Sequence, residues 1–202
     1  MPPRKTITKD IIIAQGLELS REKGLTALAA RPLARKMNCS TQPIYSCFAT
    51  MEELQQAVLE KAFHTAVGTY LIRPGEKPVK FLDIGLGYLR MSRKDPHLYD
   101  MLYGTGHTSP NRWIFPVKEE TILKAMAEDG LLGPMTPKEK LKILPHMAVY
   151  THGLVMLGRV NPDLDPADLE KNLEEMGRIV IGNALLEKGV PDHENPCLKR
   201  QP

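Results

Sequence analysis

Residues 29–54 read AARPLARKMNCSTQPIYSCFATMEEL and contain the signals of two short helices, a tight turn and the start of a longer helix. Leu33, Ala34 and Met37 have the spacing of one helix face, which predicts a helix over residues 30–37. Asn38 follows, and asparagine tolerates the left-handed backbone conformation with which many helices end. The pattern therefore predicts a helix that stops at a turn near Asn38.

A second, very short helix is predicted over residues 41–47. Ser40 or Thr41 can begin it, because a hydroxyl oxygen can accept a free N–H group of the first helical turn. The spacing turns Ile44 and Phe48 toward the core. A helix, a tight turn and a short exposed helix form a helix-turn-helix, whose second helix can enter the DNA major groove. The outward-facing residues are Thr41, Gln42, Pro43, Tyr45 and Ser46.

These residues resemble the DNA-binding domain of the TetR family of bacterial transcriptional regulators. The family pattern has a serine, a Leu-Tyr or Ile-Tyr pair, a phenylalanine, and then an acidic pair followed by leucine. The hydrophobic-Ala step of the preceding helix is matched by Leu33-Ala34. The residues that match the main pattern are Ser40, Ile44, Tyr45, Phe48, Glu52, Glu53 and Leu54.

The chain departs from the family pattern at four positions. Asn38 stands where glycine is usual at the turn, and Met51 stands where a lysine is usual before the acidic pair. Gly16 and Ser20 occupy first-helix positions that usually hold alanine and an aromatic residue. The missing lysine removes one phosphate contact that the resemblance would otherwise imply.

The resemblance also implies which residues contact DNA. Arg31, near the start of the helix before the turn, is implied to reach a phosphate or a guanine. Gln42 can pair with adenine and Pro43 can pack on a thymine methyl group. Tyr45 is implied to bind phosphate, with partial burial against the domain as its alternative. The predicted DNA-binding residues are Arg31, Ser40, Thr41, Gln42, Pro43, Tyr45 and Ser46.

Charge is distributed unevenly along the 202 residues, although the net charge is only +3. Residues 1–50 contain eight Lys and Arg against three Asp and Glu, whereas residues 51–202 contain nineteen against twenty-one. A basic N-terminal part on a mildly acidic body suits a protein that places one end on a polyanion. Arg35 and Lys36 can contribute to that charge, or can simply form a solvated helix face.

Several other protein classes are not supported by the sequence. No apolar run approaches the roughly 18 residues of a membrane span, and the N-terminus lacks the apolar core of a signal peptide. Three cysteines are too few for a disulfide framework, which favours the reducing cytoplasm. We expect no catalytic site, cofactor or metal, because no metal-ligand spacing or nucleophile elbow is present. His193 and Cys197 could hold a metal only adventitiously.

The rest of the chain is predicted to be helical. Thr50 and Glu53 form a capping-box pattern that starts a long helix. A helix over residues 8–23 and the two helices of the helix-turn-helix form the predicted N-terminal three-helix domain. The chain as a whole is predicted to be all-α, and its C-terminal part is predicted to be a helical ligand-binding and dimerisation domain. The predicted domains are 1–50, 51–190 and a flexible tail at 191–202. The other predicted helices are 8–23, 51–71, 79–94, 97–103, 114–129, 136–160 and 166–188. Thr8 is predicted to cap the first of these and Gly24 to end it, and Thr136 and Glu139 form a capping-box pattern at the start of 136–160.

The last two helices carry apolar stripes, at Leu141, Leu144, Ala148, Thr151 and Val155, and at Leu169, Leu173, Met176 and Val180. The resemblance implies that these helices form a homodimer as a four-helix bundle. The alternative is that both stripes face the core of their own chain. A physical reason favours the dimer, because one short recognition helix reads too few base pairs to bind a unique site.

The C-terminal domain is expected to hold a pocket for a small apolar or amphipathic ligand. His146 and Tyr150 are one helical turn apart and can face this pocket, or His146 can be a core histidine bonded to a neighbour. Residues 150–155 resemble the His-Gly step of one branch of the family. The candidate pocket residues are Tyr99, Tyr103, Trp113, Met126, Met147, Tyr150, His152 and Met156.

The sequence thus favours a cytoplasmic regulator, usually a repressor in this family, that binds double-stranded operator DNA and is released by a ligand. One alternative is a ligand-independent DNA-binding or adaptor protein of the same fold, which a missing cavity would favour. Another is a small helical enzyme, which a convergent polar cluster in that cavity would favour.

Overall fold

A computed structural model describes residues 7–71, 81–104, 119–191 and 193–198, and all regular secondary structure in these ranges is helical. The predicted all-α class is confirmed. Contacts divide the chain into a first unit, residues 1–66 and 94–109, and a second unit, residues 67–93 and 110–202. The helices are α1 (Lys9–Lys23), α2 (Ala30–Lys36), α3 (Gln42–Cys47), α4 (Met51–Ala66), α5 (Phe81–Lys94), α6 (Pro96–Tyr103), α7 (Glu119–Glu128), α8 (Pro137–Val160) and α9 (Pro166–Glu187).

Helix α1 begins and ends where the sequence predicts. The Thr8 hydroxyl accepts a hydrogen bond from the Ile11 N–H at 3.4 Å, and Gly24 ends the helix with φ 81°. A Cβ atom at Gly16 would lie 2.9 Å from Val58 Cγ2 of α4. Real Cβ contacts are not that short, so glycine allows α1 to approach α4 closely here.

The turn after α2 is a Schellman motif centred on Asn38, which adopts the predicted left-handed conformation with φ 52°. The Cys39 N–H donates to the Ala34 carbonyl at 3.0 Å, and the Asn38 N–H donates to the Arg35 carbonyl at 3.1 Å. These two bonds satisfy carbonyl groups that the end of α2 would otherwise leave without partners.

The sequence predicts one helix over residues 51–71, but the α-helix ends at Ala66 and Val67–Leu71 forms a π-helix. Leu54, Val58, Ala62 and Ala66 are buried at intervals of four residues, and the next buried residue, Leu71, follows after five. The wider π turn accommodates this extra residue and keeps Leu71 on the buried side.

An ion pair connects α1 to the start of α6 within the first unit. The Arg21 Nε donates to the Asp95 carboxylate at 2.8 Å, and Asp95 is buried. A charge at a buried site is strongly unfavourable unless it is paired, so the guanidinium of Arg21 fixes which face of α1 meets α6.

In the second unit, α8 begins with the predicted capping box. The Thr136 hydroxyl accepts from the Glu139 N–H at 3.3 Å, and the Glu139 carboxylate accepts from the Thr136 N–H at 2.6 Å. Leu144, Ala148, Thr151 and Val155 are buried as predicted.

Leu141, which the sequence places on the buried stripe of α8, is exposed. The buried face passes through Lys140 instead, whose ammonium donates to the Gly133 carbonyl at 3.3 Å. Pro145 lies inside α8, one turn after Leu141. Proline has no N–H group for the Leu141 carbonyl, and the exposed position leaves that carbonyl accessible to water.

Helix α9 buries Leu169 and Leu173, but then departs from the predicted stripe. Met176 and Val180 are only half-buried, whereas Gly177 is buried. The buried row therefore advances in steps of four residues, from 169 to 173 to 177, and does not follow a heptad.

Residues 193–198 also differ from the predicted flexible tail, because this segment packs on α9. Gly189 reverses the chain with φ 84°, and the Val190 N–H donates to the Leu185 carbonyl at 3.1 Å. Asn195 and Cys197 are both buried. The chain after α9 is thus held in place along this segment.

We predict that glycine gives a more stable protein than alanine at Asn38, but not at the neighbouring Ser40. Alanine at Asn38 must adopt a left-handed conformation, so Asn38→Ala should be about 1–2 kcal/mol less stable than Asn38→Gly. Urea unfolding measures this difference. Ser40, which is exposed and has no positive φ, is the control, since Ser40→Gly should be no more stable than Ser40→Ala. Equal stability of the two Asn38 variants would contradict the strain argument.

Candidate nucleic-acid interface

The candidate interface is centred on α3, a helix of six residues. Thr41 precedes it as predicted, but its hydroxyl makes no capping bond. A capping hydroxyl bonds the second or third N–H of the helix. Pro43, the second residue, has no N–H group, and the Ile44 N–H already donates to the Thr41 carbonyl at 3.1 Å. Main-chain bonds of Thr41 therefore begin this helix.

Two side chains anchor α3 to the first unit. Ile44 and Phe48 are both fully buried, as predicted. Gln42, Tyr45 and Ser46 are exposed on the opposite side, and Tyr45 is 54% exposed. The exposed Tyr45 side chain can present its hydroxyl to a binding partner. The Ser46 hydroxyl, in contrast, already donates to the Gln42 carbonyl at 2.9 Å.

The structure places the seven predicted DNA-binding residues on the first unit, between residues 31 and 46. Arg31 is exposed in the first turn of α2, and Ser40 is exposed in the turn. Thr41 and Pro43 are half-buried, so they present less surface than the sequence predicts for them. The DNA contacts of all seven residues stay a prediction.

The basic residues of this region divide into two groups. Lys36 is held by α1, with its ammonium 2.7 Å from the Glu22 carboxylate and 3.8 Å from that of Glu18. The hydrogen bond to Lys36 lowers the pKa of Glu22, and the same bond raises the pKa of Lys36. Arg31 and Arg35 are exposed and form no ion pair within the described part of the chain. Both arginines are therefore available to a polyanion.

Lys9 holds the start of α4 and the end of α3 together, and the sequence pattern missed it. Its ammonium lies 3.2 Å from Glu53 Oε1 and 4.7 Å from the centre of the Phe48 ring. The Glu53 carboxylate accepts from the Ala49 N–H at 2.9 Å, and the Glu53 N–H donates to the Thr50 hydroxyl at 3.2 Å. The predicted capping box is thus present in a modified form, with Ala49 replacing Thr50 as the backbone donor.

The predicted pocket residues are spread over both units. Tyr99 and Tyr103 lie on α6 in the first unit and stack on each other, with ring centres 4.7 Å apart. Met126 is fully buried on α7, and Tyr150 is half-buried on α8. His152 and Met156 are exposed, and Trp113 lies outside the described residues.

A cavity of about 200 Å³ lies in the second unit, and Met147 is the predicted pocket residue that lines it. Its walls come from α5, α8, α9, the segment after α9 and the loop between α7 and α8, which contributes Asp129 and Leu131. His146, the other candidate of α8, is exposed, and its Nδ1 lies 2.7 Å from the Lys142 carbonyl oxygen. His146 is therefore bonded to a neighbour, but on the surface and not in the core.

The described residues include neither a metal-binding cluster nor a membrane-spanning helix. No group of three or more His, Cys, Asp and Glu side chains there could hold a metal ion. Over the same ranges, no helix combines the length and the apolar character needed to cross a membrane.

Solved structures resemble the chain over most of its length. A transcriptional regulator from Rhodococcus sp. Rha1 is 20% identical with a TM-score of 0.59, covering 90% of this chain and 97% of that one. A variant of TetR from Acinetobacter baumannii AYE, in complex with minocycline, is 21% identical with a TM-score of 0.53, covering 91% and 98%. At these identities the likeness confirms the predicted TetR-like fold. No protein-family model and no curated protein matches the chain.

We predict that Glu53 makes the stability of the first unit depend on pH. The Ala49 N–H, and then Lys9, lower the pKa of Glu53 below its ordinary 4.5. A carboxylate with a lowered folded-state pKa stabilises the fold above its unfolded pKa, and this contribution is lost as pH falls through the folded pKa. Glu53→Gln should therefore lower the unfolding free energy at pH 7, and the difference from wild type should shrink below pH 4.5.

Urea unfolding of both proteins between pH 3 and pH 7 tests this prediction. Glu52→Gln is the control, because Glu52 is exposed in the same turn of α4. A difference between wild type and Glu53→Gln that is independent of pH would contradict the prediction.

Proposed function

We propose that this protein is a cytoplasmic, DNA-binding transcriptional regulator that acts as a homodimer and is released from its operator by a small molecule. One observation carries the proposal: α3 is a short helix with a fully buried anchor side and an exposed side of polar and aromatic residues. A helix presented in this way after a tight turn fits the DNA major groove. The likeness to two solved regulators supports the same reading.

The chemistry of the exposed residues suits duplex DNA. The Gln42 side chain can donate from Nε2 to adenine N7 and accept at Oε1 from the adenine N6 amino group, so Gln42 is proposed to read a base. Tyr45 is proposed to donate its hydroxyl to a phosphate, which positions α3 without reading sequence. Arg31 and Arg35 add positive charge on the preceding helix, where the DNA backbone would pass.

A homodimer is proposed because α8 has an apolar row on its exposed side. Val149, Gly153, Met156 and Val160 follow one another at the spacing of one helix face, and Val149 and Val160 are 70% and 74% exposed. On α9, Ile179 is 49% exposed. A second copy of the chain would bury these side chains and supply a second α3, so that the two helices read a palindromic site.

Release by a ligand is proposed from the cavity in the second unit. A ligand that binds one arrangement of the dimer better than another shifts the population toward that arrangement. A coupling of about 1–3 kcal/mol suffices to change operator affinity by one to two orders of magnitude. Repression follows if the free protein is the form that binds DNA. A cytoplasmic location suits three cysteines that form no disulfide.

We predict that Gln42→Ala and Tyr45→Phe both weaken operator binding, for different reasons. Selection from a random duplex library identifies the operator, and fluorescence anisotropy then measures affinity. Loss of a base contact should cost about 1–3 kcal/mol and relax sequence preference at one position. Loss of the Tyr45 hydroxyl should cost about 1.5–3 kcal/mol, as for hydrogen bonds to charged groups, and leave the preference unchanged.

The control is Gln56→Ala, because Gln56 is an exposed glutamine on α4, outside the proposed interface. It should bind the operator as the wild type does. If Gln42→Ala and Tyr45→Phe weakened binding to operator and to unrelated duplex DNA equally, the groove assignment of α3 would be wrong. Wild-type binding should also weaken steeply as salt is raised.

We predict that Val149→Glu converts the dimer into a monomer. The position is exposed in the single chain, so the fold should be unaffected, but each interface would bury two unpaired carboxylates. An uncompensated buried charge costs about 3–5 kcal/mol. Sedimentation equilibrium measures the change, and Lys138→Glu, exposed in the first turn of α8, is the control. A Val149→Glu dimer as stable as the wild type would exclude this face.

A further inference from the structure

The cavity of the second unit has apolar walls. Phe81 and Ile84 contribute from α5, Met147 from α8, and Leu173 and Ile181 from α9. Its volume is about 200 Å³. A cavity of about 150 Å³ with similar walls in another protein stays free of water and binds benzene. The space here is therefore sufficient for one aromatic ring with short alkyl substituents.

The part of the wall formed by the apolar residues, Thr151 and Cys197 offers no charge and no spare hydroxyl hydrogen. The Thr151 hydroxyl donates to the Met147 carbonyl at 2.7 Å. Burial raises the pKa of the Cys197 thiol, with an opposing effect from Arg178 and a further increase from Asp129, so the thiol is neutral at pH 7. Three ionisable side chains also line the cavity. Glu174 and Arg178 are exposed, and the half-buried Asp129 carboxylate already accepts from the Leu131 and Leu132 N–H groups at 2.9 and 3.3 Å. A charge carried into the interior would lose its hydration without gaining a partner there.

One side of the cavity is formed by the segment after α9, which Asn195 attaches to that helix. The Asn195 Nδ2 donates to the Gly182 carbonyl at 2.9 Å, and its Oδ1 accepts from the Cys197 N–H at 3.0 Å. A Cβ atom at Gly182 would lie 3.2 Å from Cys197 Cβ, so glycine lets the segment lie close to α9. Cys197 then lines the cavity.

We propose that this cavity binds a small, uncharged, apolar molecule the size of one alkyl-substituted aromatic ring, and that Asn195 holds the C-terminal segment in place as its wall. Such a molecule gains dispersion contacts with every wall and gives up little hydration. The proposal that the cavity binds such a molecule does not depend on DNA binding, whereas its role as the effector site rests on the proposed function.

Gly177→Leu tests the site by filling it. Gly177 lines the cavity, and a Cβ atom there would meet Met147 Cε at 3.7 Å, an ordinary contact. Leucine also favours helix over glycine, so the variant should fold at least as well as the wild type. We expect p-xylene and toluene to raise the melting temperature of the wild type and to bind in calorimetry. For Gly177→Leu, the Kd should rise at least tenfold.

The matched control is Ala167→Leu, which adds a leucine at an exposed position of the same helix and should bind p-xylene as the wild type does. Benzoate and benzyltrimethylammonium carry the same ring with a charge, and neither should bind. Absence of any p-xylene or toluene binding to the wild type would overturn the proposal. Equal binding to Gly177→Leu would do the same, as would tighter binding of either charged compound.

Asn195→Ala tests the wall on the full chain. Without both side-chain bonds the segment should detach, and the Kd for p-xylene should rise at least threefold. Asn172→Ala is the control, since Asn172 is an exposed asparagine of α9 whose Nδ2 donates to the Asp168 carbonyl at 2.7 Å. Unchanged binding to Asn195→Ala would refute the role of the segment.

Operator binding by the ligand-free protein is measured in the same preparation. A protein that binds p-xylene but no duplex DNA retains this inference and loses the proposed function. A protein that binds an operator but neither aromatic probe retains the proposed function and loses this inference.

Discussion

The position of α3 depends on the burial of Ile44 and Phe48. A helix of six residues is far below the length at which helices are stable alone in water. Its conformation must therefore come from its surroundings, and the two fully buried side chains supply most of that stabilisation. The Schellman turn at Asn38 and the Lys9 ammonium over Phe48 then restrict how the helix enters and leaves. The exposed residues Gln42 and Tyr45 can be oriented toward a partner only because this buried side is rigid.

The second unit uses helices α8 and α9 in two ways at once. One side of α8 packs within the unit through Leu144, Met147 and Val155, and the other side carries the exposed row that includes Val149 and Val160. Helix α9 packs on α8 and also receives the C-terminal segment at Gly182. Gly177 leaves room beside α9 for the cavity, and Gly182 leaves room for the C-terminal segment.

Features set by neighbouring residues could be predicted from the sequence, whereas those that depend on distant residues could not. The Thr8 cap, the left-handed Asn38, the burial of Ile44 and Phe48 and the capping box of α8 are all local, and all are confirmed. Lys9 and Glu53 are 44 residues apart, so no periodicity relates them. Tyr99 and Tyr103, two candidate pocket residues, stack on each other one turn apart on α6, a contact that the sequence pattern did not predict. Lys140 is buried in place of Leu141 because its ammonium donates to the Gly133 carbonyl in the loop before α8.

The proline inside α8 has a mechanical consequence. Helices bend where a main-chain bond is missing, and Pro145 removes the bond to Leu141. The row from Val149 to Val160 begins after that weak point and continues for about 18 Å of fully bonded helix. A bend of α8 is therefore expected in its opening turns, before Val149. The remainder behaves as a stiff rod, and a rod transmits rotation along its length with little loss.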